Sequence, residues 1–296
     1  MRTTGTFISD GRKKGGMTPG VMGADFSGAA DAGRAIWVTE ARHTPDGLVV
    51  EDCYRAADEW GSHRESAHAG LRERATDFAV AGLDFPFSLP RPVLAARCEG
   101  TWRGLREWLT GDGPEDPDAF ASACRSAARE HTGDGSAALR RETDLRRAAL
   151  CPYGRRVQYQ TFYGVRNVLA WLAERDDATV EPMEDGPSRG AGEGGESEGG
   201  KSDHSGGDAT SVVEVYPAAT FGWLGLYREG YTEDRDRRAR NVAGIESCSV
   251  DPGGFRDVYE SNHDALDSLA AAVSAGRVTD RDPPLHGPRA EGHIYV

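Results

Sequence analysis

The fold starts from Val21-Met22-Gly23-Ala24-Asp25-Phe26, an apolar run with a carboxylate near its end, which predicts the first strand of a buried sheet. Segments 34–42 and 47–54 follow after short connections and predict two more strands of an antiparallel meander. A helix is predicted over 62–74, because Ser62 and Glu65 have the spacing of a capping box. The mostly apolar segment 77–85 then predicts a strand that is buried on both faces. The order strand, strand, strand, helix, strand predicts an α/β fold.

The rest of the chain divides into a helical insertion, a polar loop and a final segment with one strand and two helices. Segment 91–177 is rich in arginine and has a helical pattern around 93–109, 117–131 and 162–175, so it is predicted to be a helical insertion without strands. Segment 181–211 consists mainly of Gly, Ser, Glu and Asp and predicts a disordered acidic loop. A strand over 212–216 and helices over 218–227 and 261–276 complete the pattern. We expect residues 1–20 to be a disordered tail and residues 21–296 to form a single domain.

Composition limits the classes of function. The chain has 296 residues, 38% of them hydrophobic, which is enough to bury a substantial core. Its formal net charge of −13 indicates an acidic surface of the kind found in a high-salt cytoplasm, and it argues against nonspecific nucleic-acid binding over the whole surface. The five cysteines form no CxxC pair, which is typical of reduced thiols in a cytoplasmic protein. No segment approaches the roughly 18 apolar residues that span a bilayer, so no membrane association is expected.

Five carboxylates stand where an apolar strand or helix begins or ends. Asp25 and Asp84 close two predicted strands, Glu214 follows Val212-Val213, and Asp264 and Asp267 open the last predicted helix. A carboxylate in an apolar strand is costly to desolvate unless it is paired or binds a cation. The pattern therefore predicts one shared divalent-metal site. Each acid also has a structural alternative. Asp25 could be a turn residue, Asp84 a cap on the exit from the sheet, and Glu214 the partner of an arginine of the insertion. Asp264 could be a charge at the helix N-terminus, and Asp267 a solvated residue on the helix face.

Arginines and aromatic residues alternate in the second half of the insertion. Guanidinium groups and aromatic planes are suited to phosphates and unstacked bases. The residues that we expect to contact a substrate are Arg141, Arg147, Arg156, Tyr159 and Gln160. The alternative is an arginine-rich helix face that the protein's own acids neutralise. His263 beside the last helix is a further candidate for proton transfer or metal binding, although a single histidine is more often a cap or a surface residue.

Several motifs together resemble those of the domain of unknown function family 429, whose members are regarded as RNase H-like predicted nucleases. The motifs are Gly23-Ala24-Asp25-Phe26-Ser27-Gly28, Leu83-Asp84-Phe85-Pro86-Phe87-Ser88-Leu89-Pro90, Val213-Glu214-Val215-Tyr216-Pro217, His263-Asp264-Ala265-Leu266-Asp267-Ser268-Leu269-Ala270-Ala271-Ala272 and the tail Glu291-Gly292-His293-Ile294-Tyr295-Val296. The resemblance implies a mixed sheet in which three antiparallel strands lead into parallel strands, with helices on both faces.

The same resemblance implies a metal-dependent nuclease. In RNase H-like enzymes, acids on the first strand, after a later strand and at the start of the last helix hold two Mg²⁺ or Mn²⁺ ions. Asp25 then takes the first-strand role, and Asp264, Asp267 or both take the last-helix role. Asp84 and Glu214 compete for the middle position, so that Asp25, Glu214, Asp264 and Asp267 are the expected metal ligands and Asp84 is a further catalytic candidate. The implied partner is DNA or RNA, cleaved by metal-activated water.

Two other functions remain open at this level. A noncatalytic nucleic-acid-binding or regulatory module would keep the same fold without turnover, because a fold does not determine an activity. An ATPase or sugar-kinase-like phosphotransferase is suggested by Asp25-Phe26-Ser27-Gly28 after a strand, but the chain lacks a duplicated second domain. The oligomeric state is not indicated by any apolar stripe or heptad pattern.

Overall fold

A computed structural model describes residues 20–133, 135–183, 209–278 and 287–296. In these residues one mixed sheet of eight strands runs through the molecule, in the order β5-β6-β4-β1-β2-β3-β7, with β8 paired to β6. The strands are β1 (Gly20–Asp25), β2 (Trp37–Thr44), β3 (Gly47–Arg55), β4 (Val80–Asp84), β5 (Ala178–Glu181), β6 (Thr210–Val215), β7 (Val250–Asp251) and β8 (Ile294–Tyr295).

The sheet has the predicted change of direction. β2 pairs antiparallel with both β1 and β3, whereas five other pairs are parallel: β1 and β4, β4 and β6, β5 and β6, β6 and β8, and β3 and β7. The α/β class and the three antiparallel strands followed by parallel ones are therefore confirmed. The sequence did not predict β5, β7 or β8, since each has only two to four residues and gains its strand geometry from pairing rather than from its own pattern.

Helices cover both faces of the sheet. They are α1 (Ala56–Trp60), α2 (Arg64–Ala75), α3 (Arg91–Arg97), α4 (Trp102–Thr110), α5 (Pro117–Thr132), α6 (Glu142–Arg147), α7 (Gln158–Tyr163), α8 (Ala170–Leu172), α9 (Pro217–Trp223), α10 (Arg235–Glu246), α11 (Arg256–Ser261) and α12 (His263–Val278). A π-helix over Gly164–Leu169 joins α7 to α8. Alternate strand residues enter two separate cores: Met22 and Leu83 pack with the insertion helices, and Val21 and Val80 pack with α12.

The insertion is helical in its described residues between 91 and 177, as predicted, but its helices differ in detail. The helix predicted over 93–109 is split into α3 and α4, because Glu99 and Gly100 adopt positive φ angles of 53° and 73°. Thr101 then caps α4 through its side-chain oxygen, which accepts from the Gly104 amide at 2.9 Å. The capping box predicted for α2 was wrong: α2 begins at Arg64 and has no side-chain cap.

Other predictions fall on residues that the structure does not describe. Residues 1–19 and 184–208, which make up most of the predicted tail and acidic loop, lie outside the described residues. The ends of that loop are strands, because β5 extends to Glu181 and β6 begins at Thr210. Within the described ranges, no helix is long and apolar enough to cross a membrane.

Helix α12 lies directly on the sheet because two strands present glycine to it. A Cβ built on Gly23 would be 2.0 Å from the Ala272 amide nitrogen, and one on Gly82 would be 2.9 Å from the Ala271 carbonyl oxygen. Gly23 and Gly82 are partners in the β1–β4 register. The helix contributes small residues at the contact, and residues 268–276 are all buried. This close approach brings the first turn of α12 to the carboxyl ends of β1 and β4.

Candidate carboxylate site

Asp25 and Asp84 are neighbours at the carboxyl ends of two parallel strands. They are register partners in β1 and β4, whose backbones are about 4.8 Å apart in a sheet. Side chains alternate along a strand, so Asp25 points to the same face as Gly23, and Asp84 to the same face as Gly82. Both glycines contact α12. The two carboxylates therefore project toward the beginning of that helix.

The N-terminal part of α12 supplies two more acids, Asp264 in the first turn and Asp267 directly after it. The contacts of Gly23 are with the Ser268 carbonyl and the Ala272 amide. Asp264 and Asp267 precede Ser268 by four residues and by one residue, toward the start of the helix. Asp267 accepts a hydrogen bond from the Tyr231 hydroxyl at 2.9 Å. His263 Nε2 lies 2.9 Å from Asp264 Oδ1. The helix itself is capped by Asn262, whose Oδ1 accepts from the Ala265 amide.

The acids influence one another electrostatically. The pKa of Asp25 is raised well above its ordinary value, mainly by burial and then by Asp267, Asp84 and Asp264. The pKa of Asp84 is raised by burial, by Asp267 and by Glu214. Burial also raises the pKa of Asp267 to about 7, although the Tyr231 hydrogen bond opposes that shift. Burial and mutual repulsion thus disfavour the ionised forms of Asp25 and Asp84, and burial disfavours that of Asp267.

Within the described part of the chain, Asp25, Asp84 and Asp267 form no ion pair, and His263 acts on Asp267 only through its charge. Across residues 20–133, 135–183, 209–278 and 287–296, no arginine or histidine forms an ion pair with Asp25, Asp84 or Asp267. Each of the three keeps part of its surface accessible to solvent. An unpaired, mostly buried carboxylate is unfavourable, so an arrangement of three on neighbouring elements needs a functional explanation.

Glu214 is placed on the other face of the sheet. It is the register partner of Leu83, whose side chain enters the core opposite to α12. There it is 2% exposed and is bound by Arg141, with Nη1 donating to Oε2 at 2.7 Å, while the Phe87 amide donates to the same oxygen at 3.0 Å. Because Arg141 belongs to the insertion, the structure has the ion pair that was the alternative to metal binding for Glu214.

Arg141 has no surface for a substrate. It is 0% exposed, and its Nε, Nη1 and Nη2 donate to Asp144, to Glu214 and to the Glu291 carbonyl. All three nitrogens are thus engaged within the protein. The expectation that Arg141 contacts a substrate is corrected: a fully paired, buried guanidinium holds α6 to β6 and to the C-terminal segment.

The other predicted substrate residues lie nearer to the carboxylates or to solvent. Gln160 Nε2 donates to the Phe26 carbonyl at 2.6 Å, directly after Asp25. Gln160 also lines, with Asp84, a cavity of about 110 Å³ whose floor includes Arg141 and Glu214. Tyr159 is 40% exposed. Arg156 is exposed, whereas Arg147 is half-buried and its carbonyl accepts from Arg228.

Sequence reasoning missed three residues that shape the site. Tyr231 reaches Asp267, as described above. His68 and Arg64 of α2 hold the segment after Asp25: His68 Nε2 is 2.9 Å from the Ser27 carbonyl, and Arg64 Nε donates to the carbonyls of Gly28 and Ala29 at 3.0 Å. Burial lowers the pKa of His68 to about 4, so it is neutral there. None of these residues has a spacing or motif that marks it in the sequence, because each acts through a tertiary contact.

The oxygen donors suit Mg²⁺ or Mn²⁺, which prefer carboxylates. As the side chains stand, however, no three His, Cys, Asp or Glu residues of the described ranges are arranged closely enough to hold a metal ion. Comparison with protein families, with curated proteins and with solved structures finds no match for this chain.

Proposed function

We propose that this protein is a metal-dependent nuclease that hydrolyses phosphodiester bonds at Asp25, Asp84 and Asp267, with Asp264 beside them. The observation that supports the proposal most directly is the meeting of three carboxylates from β1, β4 and α12 without an ion-pair partner among the described residues. Their raised pKa values mean that the folded state bears a cost when all three are ionised. A divalent cation is the ligand that removes this cost.

The donor set determines what the site would do with a cation. Asp25, Asp84 and Asp267 would hold Mg²⁺ or Mn²⁺, with Asp264 as a further ligand. A bound ion of this kind activates water and stabilises the leaving oxygen of a phosphodiester. The carboxylates themselves orient the ion from three rigid elements, two strands and one helix, which favours a fixed geometry. Glu214 is left out of this set because Arg141 neutralises it on the opposite face.

The topology supports an RNase H-like assignment and the resemblance to the domain of unknown function family 429. Three antiparallel strands lead into parallel ones, and acids stand on the first strand, on the next parallel strand and at the start of the last long helix. We propose nucleic acid as the substrate class, with Gln160, Tyr159 and Arg156 as the contacts near the carboxylates. With a net charge of −13, binding would depend on such local contacts rather than on the whole surface.

The test combines ion binding with cleavage. Mn²⁺ and Mg²⁺ binding would be measured by calorimetry in high salt for the wild type, for Asp25→Asn with Asp84→Asn, and for Asp46→Asn in the exposed β2–β3 turn as a matched control. We expect saturable binding to the wild type and the control and none to the double variant. Cleavage of single-stranded DNA, duplex DNA, RNA and a four-way junction should follow the same pattern and stop in EDTA.

Two results would overturn the proposal. Equal ion binding by the wild type and the double variant would remove the carboxylate site. Nucleic-acid binding that persists in the double variant, with no cleavage by any form of the protein, would favour the noncatalytic module instead.

A further inference from the structure

Tyr159, near the start of α7, presents an aromatic ring to solvent beside the loop that follows β1. The residue is 40% exposed. Within the described ranges its hydroxyl forms no hydrogen bond. The fold therefore uses neither the hydroxyl nor the whole surface of the ring, and both are accessible to a ligand.

Two contacts fix the backbone of this part of α7 against the loop after Asp25. A Cβ built on Gly28 would be 2.3 Å from the Tyr159 carbonyl oxygen, so the loop and the helix backbone touch. The next residue, Gln160, donates from Nε2 to the Phe26 carbonyl at 2.6 Å. Tyr159 is thus held at a fixed position close to the carboxyl end of β1.

Tyr159 is also the exposed member of a row of planar groups. Tyr163, one turn later in the chain, has its ring centroid 6.4 Å from that of Tyr159. The Arg64 guanidinium of α2 lies over the Tyr163 ring, 3.7 Å from its centroid. Arg64 also donates to the carbonyls of Gly28 and Ala29. An aromatic ring supported in this way loses little conformational entropy when a second planar group stacks on it.

Two arginines lie directly before α7. Arg155 and Arg156 are exposed, and neither forms an ion pair with any residue of the described segments. In a chain with a net charge of −13, exposed guanidinium groups without an acidic partner are complementary to phosphate. Unpaired cations beside an open aromatic ring are typical of sites for single-stranded nucleic acid, where the backbone meets the charges and a base stacks on the ring.

We propose that the protein binds nucleic acid as a single strand, with one unstacked base on the Tyr159 ring and neighbouring phosphates on Arg155 and Arg156. This inference rests on the nucleic-acid substrate of the proposed function and deepens it by specifying the form of that substrate. A continuous duplex keeps its bases paired and stacked, so that they offer no open face to the ring, whereas a single strand can turn a base outward.

The experiment measures binding in EDTA, which prevents metal-dependent cleavage. Labelled probes of about 16 nucleotides would be titrated by fluorescence anisotropy: single-stranded DNA and RNA, the same sequences as duplexes, and a strand of the same length without bases. We expect the wild type to bind a single strand most tightly. Tyr159→Ala should weaken that binding about 5- to 150-fold, which is the loss of one stacked base, and Tyr159→Phe should retain it. The strand without bases should bind weakly and equally to the wild type and Tyr159→Ala.

Tyr227→Ala is the matched control. Tyr227 is 38% exposed, and the guanidinium groups of Arg237 and Arg240 lie 5.4 and 5.9 Å from its ring centroid. It combines a partly exposed ring with arginines, as Tyr159 does, but its hydrogen bonds are to α10. Tyr227→Ala should leave binding unchanged, and urea unfolding of each variant checks that it is folded. Equal weakening by Tyr159→Ala and Tyr227→Ala would refute a specific role for Tyr159.

The outcomes separate this inference from the function on which it rests. If duplex and single strand bind equally well, or if Tyr159→Ala binds a single strand as tightly as the wild type, the inference is refuted, and cleavage in Mn²⁺ still decides the nuclease proposal. If the wild type binds no Mn²⁺ and cleaves nothing, but binds single strands through Tyr159, the nuclease proposal fails and the single-strand site stands.

Discussion

Asp267→Asn should make the protein more stable at neutral pH, and the gain should grow as the pH rises. Asparagine keeps an oxygen that can accept the Tyr231 hydrogen bond, so the substitution changes mainly the charge. In the wild type, burial keeps the Asp267 carboxyl protonated to a higher pH in the folded state than in the unfolded chain. The folded state therefore binds more protons in this window, and its stability falls as the pH rises.

The magnitude follows from the size of the shift. The pKa of Asp267 rises from an ordinary value of 3.8 to about 7. At about 1.36 kcal/mol per pKa unit, the ionised side chain lowers the free energy of unfolding by about 4 kcal/mol above pH 7. Between pH 5 and pH 8 the loss is about 3 kcal/mol, because part of it has already accumulated below pH 5. Asp267 also raises the pKa values of Asp25 and Asp84, so its neutralisation adds to the gain.

The assay is urea unfolding at constant high salt, from pH 5 to pH 8, with EDTA to remove divalent ions. The free energy of unfolding of Asp267→Asn should exceed that of the wild type by an amount that increases across this range. Asp46→Asn, which removes the same formal charge from an exposed turn, corrects for the general effect of a net charge of −13. Parallel pH profiles for the wild type and Asp267→Asn would refute the reasoning, since the carboxylate would then not be held in an unfavourable environment.

Three further outcomes are expected. Glu214→Gln should destabilise the protein by about 1–3 kcal/mol in urea unfolding, because the buried Arg141 loses charged hydrogen bonds to Glu214 and keeps only Asp144 as a carboxylate partner. Glu51→Gln, in an exposed ion pair, should cost about 0.2–1 kcal/mol, and equal costs would contradict the buried pair. Gly23→Ala should destabilise the protein by about 1–3 kcal/mol or more, because the new methyl group meets the α12 backbone. The control Gly254→Ala, at a position with open space around it, should have little effect. A Gly23→Ala protein as stable as the wild type would contradict the close contact. The affinity of the wild type for Mn²⁺ should increase from pH 6 to pH 8, because Asp267 must lose its proton to bind the ion. The released proton should be detectable as a binding enthalpy that depends on the buffer. An affinity independent of pH would argue against Asp267 as a ligand.

Much of the fold could be predicted because its central strands have strong local signals. The five segments predicted as strands correspond to β1, β2, β3, β4 and β6; β1, β4 and β6 are mostly apolar, and β2 and β3 follow after short connections. Helix α12 was predicted within two residues at each end from its apolar face. The short edge strands could not be predicted, since two to four residues carry too little pattern and acquire strand geometry only from a neighbour.

The site was predictable only in part, because some of its residues act through tertiary contacts and carry no local sequence signal. Asp25 and Asp84 close apolar strands, and the sequence alone identifies both as costly positions for a charge. Tyr231 has no such signal, because it stands in a polar segment whose path is fixed by Arg238 through backbone carbonyls. Residues that act through tertiary hydrogen bonds leave no period or spacing in the sequence.

Glu214 shows that a shift of one residue along a strand changes the role of a carboxylate side chain. Its strand, β6, runs parallel to β4, and Glu214 pairs with Leu83, one position before Asp84. A shift of one residue turns a side chain to the opposite face, so Glu214 enters the core that contains the insertion, where Arg141 reaches it. Asp25, Asp84 and Asp267 lie at the α12 side, and no arginine of the described ranges pairs with them. Among the described residues, Arg141 thus pairs with the strand acid on the insertion side, whereas no arginine pairs with the three aspartates on the α12 side. This difference is the reason that the proposed metal site includes the three aspartates and leaves out Glu214.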